Sequence, residues 1–238
     1  MRISLPKNRF TLRFLTLSAL LLASGLSEAP AQARPPVPEE DTQLWNDLQV
    51  AVPVTNQVDF NLFGAFRFGR DVTHLVDRRT GAGFSFRLGR LVKQPGDVLT
   101  LAAWYINVIT RPAEGRKAHE NRLNLAATLR FPVGKVVLSD RNLFERRVRA
   151  PLNSTRYRNR LQIDYPARLK NGQLGVFASD EVFYDWLVNR WVRNRFMVGV
   201  SRRFNQHFTG DVYYMRQNDG LSRPGDLHVI GLSYRVRL

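Results

Sequence analysis

From Gln43 onward, apolar and polar residues alternate with period two along most of the chain, the pattern of strands that bury one face. In Val58–Phe68, Val58, Phe60, Leu62, Gly64, Phe66 and Phe68 share one side, and Asp59, Asn61, Phe63, Ala65 and Arg67 share the other. Asn121–Phe131 separates more cleanly: Leu123, Leu125, Ala127, Leu129 and Phe131 oppose Arg122, Asn124, Ala126, Thr128 and Arg130. A helical period would have mixed these sets. Further strands are predicted at Thr80–Leu91, Val98–Thr110, Lys135–Val148, Arg156–Leu169, Leu174–Asp185, Val192–Phe204, Phe208–Gln217 and Leu227–Leu238. Gln43–Ala51 is a weaker candidate because Pro53 follows closely.

The joins alternate in character. Short turns fall at Gln94–Asp97, Pro132–Gly134, Lys170–Gln173 and Asn205–His207. Longer polar joins fall at Arg70–Arg79, Arg111–Ala118, Ala150–Thr155 and Asn218–Asp226. Strands of ten or more residues, with short turns on one side and longer loops on the other, describe an outer-membrane barrel. Soluble sandwiches use strands of about five or six residues. The last strand places Ile230, Leu232, Tyr234, Val236 and Leu238 on one face. Gly231, Tyr234 and Val236 match most of the carboxy-terminal pattern read by barrel-assembly machinery, although Val229 and the terminal Leu238 depart from it.

These features predict an all-β fold: a single antiparallel transmembrane (outer-membrane) β-barrel of ten to twelve strands over residues 43–238. Counting Gln43–Ala51 gives eleven strands and puts the two chain ends on opposite sides, which bacterial single-chain barrels avoid. Ten strands, with Gln43–Ala51 not spanning, or twelve, with one merged or missed, would restore an even number. A soluble periplasmic β-sandwich or lipocalin-like barrel is the competing fold.

The amino terminus fits export. Arg2, Lys7, Arg9 and Arg13 precede the apolar run Phe14–Leu26, and Ala31-Gln32-Ala33 follows, as in a secretory signal peptide cleaved after Ala33. Residues 34–42 then form an irregular leader. The run is short for a membrane-spanning helix, which needs about 20 apolar residues.

Charge sharpens the picture. The formal net charge is +16, and removing residues 1–33 takes away four basic residues and Glu28, leaving +13. All but five of the 36 basic residues are arginine, whose planar fork suits carboxylate partners. With no cysteine, disulfides, thiol chemistry and a lipidated amino-terminal cysteine are excluded. Nucleic-acid binding is not expected, because the arginines are spread strand by strand behind an export signal instead of forming one patch.

The chain resembles a family of bacterial outer-membrane barrels, domain of unknown function 2490. The resemblance rests on the order of LWNDLQVAVPV from Leu44, DRNLFERRV with Arg141, Glu145 and Arg146, RYRNRLQIDYP from Arg156, ASDEVF with Asp180 and Glu181, and NRFMVGV with Asn194 and Arg195. It implies a barrel and an outer-membrane address. It carries no activity and no catalytic residues.

The chemistry expected of such a barrel lies in its interior. Arg141, Glu145, Arg158, Arg160, Glu181 and Arg195 form a candidate lumenal charge network, with the two glutamates pairing with arginines across the lumen. The network serves either as a constriction selecting anions or as a plug of ion pairs, and a narrow barrel favours the plug. No catalytic, cofactor or metal residues are assigned. His74, His119, His207 and His228 show no metal-ligand spacing and no accompanying nucleophile pattern. The role expected is therefore non-enzymatic, as a structural or narrow transport barrel. The alternatives are a barrel enzyme acting on envelope lipids and a soluble periplasmic binding protein. Expected partners are outer-membrane lipid and the assembly machinery. Arg78, Arg79, Arg111, Arg116 and Lys117 in outer loops are candidates for the phosphates of lipopolysaccharide.

Overall fold

The computed structural model describes residues 39–89, 98–111, 115–169 and 172–238. The signal peptide, leader residues 34–38 and the Gln94–Asp97 turn lie outside the described residues. Among the described residues eleven strands follow one another: β1 (Glu40–Pro53), β2 (Val58–Gly69), β3 (His74–Arg87), β4 (Val98–Thr110), β5 (Ala118–Val133), β6 (Val136–Arg149), β7 (Ser154–Leu169), β8 (Gly172–Asp185), β9 (Arg190–Arg203), β10 (Phe208–Asp219) and β11 (Asp226–Arg237). They form one closed barrel in which each strand pairs with its sequence neighbour and β1 pairs with β11. At roughly 3.3 Å per residue and a roughly 40° tilt, such strands raise a wall of about 30–40 Å.

The parity puzzle resolves against both even counts. β1 is a full strand that pairs antiparallel with β2 and parallel with β11, from Glu40 opposite Asp226 to Ala51 opposite Arg237. Pro53 does not break it, because it occupies the last position of the strand. The closing seam is thus parallel in an otherwise antiparallel barrel, and residues 39 and 238 stand at opposite rims. The amino-terminal rim carries Glu39 and the joins after β2, β4, β6, β8 and β10. The carboxy-terminal rim carries Leu238 and the last residues of β1, β3, β5, β7 and β9.

The strands run further than the alternation indicated, so the expected contrast in loop length is mostly lost. β3 begins at His74 instead of Thr80, which shrinks the Arg70–Arg79 loop to Arg70–Thr73. A register shift between Arg67 and Phe68 brings Leu75 opposite Phe68, leaving Val76 unpaired. This bulge is what hid the strand: it breaks the alternation where Asp77, Arg78 and Arg79 already confuse it. Arg70, Asp71 and Val72 all have positive φ in this turn. The Asp41 carboxylate accepts hydrogen bonds from the backbone N–H groups of Arg70 and Asp71, both at 3.0 Å, and so holds the turn.

The faces sort as the pattern required. Leu48, Leu62, Phe66, Phe84, Leu123, Leu125, Leu161, Ile163, Phe196, Val198, Val212 and Ile230 are exposed on the outside. A contiguous apolar exterior of this extent marks a lipid or protein interface. Asn159 stands on that face within β7, away from the ends of the strand. Its amide donates to Asp140 Oδ1 at 2.6 Å, and Asn142 donates to Asp140 Oδ2 at 3.2 Å, so the outward polar groups of β6 and β7 satisfy one another.

Inside, Gly231 allows a close approach. A Cβ there would stand 1.9 Å from the Tyr213 ring, so only glycine lets Tyr213 lie against β11. Tyr213, Trp45, Phe177, Met215, Leu227 and Val229 form an apolar cluster on the β8–β1 side of the lumen.

Candidate functional site: the arginine-lined lumen

Arg141 and Glu145 sit on β6, Arg158 and Arg160 on β7, Glu181 on β8 and Arg195 on β9. All point inward, because they share the phase of the polar face. The structure brings five of the six into one ion-pair network. Glu181 Oε1 lies 2.6 Å from Arg141 Nη2 and 2.9 Å from Arg158 Nη2, and Glu181 Oε2 lies 3.9 Å from Arg195. Glu145 joins the network through Arg158 Nη1 at 3.3 Å. All of these pairs, the longer Arg195 contact included, link neighbouring or next-neighbouring strands along the wall; they do not reach across the lumen. Arg160 stands directly opposite Glu181 in the β7–β8 register, yet no carboxylate among the described residues lies within 4 Å of its guanidinium.

The network is larger than the sequence reading assigned. Arg122 donates to Glu120 Oε1 at 2.6 Å and to Glu145 Oε2 at 3.3 Å. Arg147 grips Glu120 with two bonds, at 2.6 and 2.7 Å, and lies 3.8 Å from Asp185. Asp185, which is fully buried, accepts from Arg156 Nε at 2.8 Å. Ion pairs therefore run continuously from β5 to β9 in the half of the lumen nearer the amino-terminal rim. Arg79, expected in an outer loop, is instead in this lumen, bidentate to Asp77 at 2.8 and 2.7 Å. The added residues share the phase of the named ones, so parity along each strand was the signal that could have found them.

Aromatic side chains complete the filling. The Arg67 guanidinium lies 3.5 Å from the Trp45 ring centre, and Arg195 lies 5.1 Å from the same ring. Arg195 also stands 4.9 Å from the Phe183 ring, with Arg158 at 4.6 Å from it. Arg67, Trp45, Arg195, Phe183 and Arg158 thus form an alternating series from β2 through β1 and β9 to β7, within cation–π range throughout. Trp45 is held in turn by its Nε1–H donating to Gln43, which donates to Asp41, the residue that caps the Arg70–Thr73 turn. An inward-facing aromatic on a polar face, as at Trp45 and Phe183, is the out-of-phase feature that marks this series in sequence.

Beside the packed half lies a cavity of about 440 Å³. Arg67, Arg79, Arg122, Arg141, Arg158, Arg160 and Arg195 line it, with only Asp47, Glu145 and Glu181 as acids among the described residues. Phe63, Trp104, Ile106, Leu143, Met197 and Met215 supply apolar surface, and Ala102, Ala126, Thr100 and Thr128 leave the space. Among the described residues, no group of three or more His, Asp or Glu side chains is placed to hold a metal ion. The four histidines are dispersed: His74 and His119 at the amino-terminal rim, His207 at the opposite rim. His228 lies on the outer face of the seam, 3.0 Å from Glu40.

A closed barrel with an apolar exterior and an ion-paired interior defines the class of protein. The family model for a protein of unknown function, DUF2490, matches residues 42–226, and the chain belongs to that family. No curated protein matches the sequence. Among solved structures, the chain is similar to OmpT, an in-vitro folded outer membrane protein of Vibrio cholerae in trimer form. The likeness is at 7% identity over 79% of this chain and 92% of that one, with a TM-score of 0.31.

Proposed function

We propose that this protein is an exported, non-enzymatic outer-membrane barrel whose lumen is closed, so that it does not serve as an open pore. The observation that carries the reading is the packed amino-terminal half of the lumen. There Glu145, Arg147, Arg156, Asp185 and Phe183 are all less than a tenth exposed and joined by ion pairs and stacking. A water-filled path needs side chains that stand clear of one another, whereas these neutralise and cover one another. The apolar exterior supports a lipid environment, where a closed sheet leaves no backbone group unpaired.

In this reading the signal peptide is removed after Ala33 and the carboxy-terminal rim faces the periplasm. The assembly machinery reads the apolar face of β11. Arg78, Arg111, Arg116 and Lys117, exposed near the amino-terminal rim, supply cations for lipopolysaccharide phosphates.

Two measurements test it. Fractionation with heat-modifiable migration is expected to place the folded protein in the outer membrane; recovery from the soluble periplasm would exclude the barrel's lipid setting. In planar bilayers the purified protein is expected to give no stable conductance step. A reproducible open level that changes when Arg158 and Arg160 are replaced would show that the network lines a pore and does not seal one.

A further inference from the structure

The cavity beside the plug has a composition that the plug does not use. Glu181 is the single carboxylate shared by Arg141, Arg158 and Arg195. Arg160 and Arg67 line the same space without a carboxylate within 4 Å among the described residues. Arg67 and Arg141 each have a buried Nε–H with no acceptor among the described residues. A buried donor left without an acceptor is disfavoured by about 1–3 kcal/mol, more for a charged group. Cations in surplus over acids, with spare planar donors, match an anionic oxygen group such as a phosphate or carboxylate. The rest of the wall is of another kind, with Phe63, Trp104, Ile106 and Leu143 presenting apolar surface. The volume of about 440 Å³ falls within the range of pockets for small ligands, roughly 300–1,000 Å³.

We infer that this lumenal cavity is a binding site for a small anionic amphiphile. Arg160, Arg141 and Arg67 take its acidic head, and the Phe63–Trp104–Ile106 surface takes a compact apolar or aromatic tail. The inference rests on the closed-barrel reading, since an occupied pocket needs the plug as its floor.

The test is calorimetric titration of phenyl phosphate into the full mature barrel in phosphatidylcholine nanodiscs, with empty nanodiscs subtracted. Saturable one-to-one binding is expected. Arg160→Gln removes a cation that holds no ion pair among the described residues and is expected to weaken binding about tenfold or more. Ala126→Phe fills the cavity without changing charge and is expected to abolish binding. Heat-modifiable migration of both variants shows that they fold. Inorganic phosphate, which has only the head, and benzyl alcohol, which has only the ring, are each expected to bind at least about tenfold more weakly. No saturable heat above empty nanodiscs, unchanged affinity in Arg160→Gln, or inorganic phosphate binding as tightly as phenyl phosphate overturns the proposal. Conductance is measured separately, so a barrel that binds yet conducts refutes closure, and one that is closed yet binds nothing refutes the site.

Discussion

Replacing Glu181 by glutamine isolates what the shared carboxylate contributes to the barrel. Glutamine keeps the size and one carbonyl acceptor but removes the charge that faces Arg141, Arg158 and Arg195. Arg158 retains Glu145 at 3.3 Å, whereas Glu181 is the only carboxylate within 4 Å of Arg141 among the described residues. The loss therefore falls mainly on Arg141. Removing one partner of a buried ion pair costs about 3–5 kcal/mol, because the other charge stays buried without compensation. Arg141 is 24% exposed to the cavity, so the lower end applies, about 3 kcal/mol. That is roughly a hundredfold in the unfolding constant. Urea unfolding in phospholipid vesicles, followed by tryptophan fluorescence and checked by heat-modifiable migration, reads this difference. The double variant Glu181→Gln with Arg141→Gln is expected to be more stable than the sum of the single losses, because the uncompensated cation is gone too. If Glu181→Gln lies within about 0.5 kcal/mol of wild type, or if the two losses simply add, the pair is not a buried, coupled one and the reasoning fails.

Three further outcomes follow from separate parts of the wall. Gly231→Ala drives a methyl into the Tyr213 ring and is expected to lose about 1–3 kcal/mol. In a Tyr213→Ala background the same change is expected to lose almost nothing, and an equal loss in both backgrounds would show that the ring is not what excludes a side chain. Asp41→Ala removes the acceptor for the Arg70 and Asp71 amides; faster hydrogen exchange confined to those two amides is expected, and unchanged exchange would free the turn from Asp41. Because the chain has no cysteine, Leu152→Cys and Gln206→Cys report sidedness cleanly. An impermeant maleimide is expected to label Leu152→Cys on intact cells and Gln206→Cys only after the outer membrane is opened. Labelling in the reverse order would invert the barrel.

How much of this was legible from sequence depended on whether a feature is local. Alternation along a single strand identified the two faces of Val58–Phe68 and Asn121–Phe131, and with them the barrel. It failed at His74–Arg79, where the bulge after Arg67 shifts the phase, and at β1, where Pro53 looked like an interruption but stands at the strand's end. The parallel seam was out of reach, because strand periodicity carries no information about which strand closes the sheet or in which direction. Clean alternation sorted the charges onto the inward face, yet Arg122, on the cleanest strand, was not assigned to the network. Their partners depended on register: whether Glu181 meets Arg158 or Arg160 turns on how far each guanidinium reaches along the wall.

Arg156, Arg158 and Arg160 on β7 show that difference within one strand. All three face the lumen at a spacing of two residues, and in sequence they are interchangeable. Arg156 faces Asp185 and closes the network towards the amino-terminal rim. Arg158, two residues further down the wall, bridges Glu145 and Glu181 and stacks on Phe183, so it is committed on every side. Arg160 is opposite Glu181 but arrives where Arg141 and Arg158 already occupy that carboxylate, and its guanidinium is left lining the cavity. A carboxylate neutralises one cation, so the third arginine in such a row is the one with charge to offer a ligand. Arg156 and Arg158 therefore hold the barrel together, and a change at Arg160 is the one that alters binding without loosening the wall.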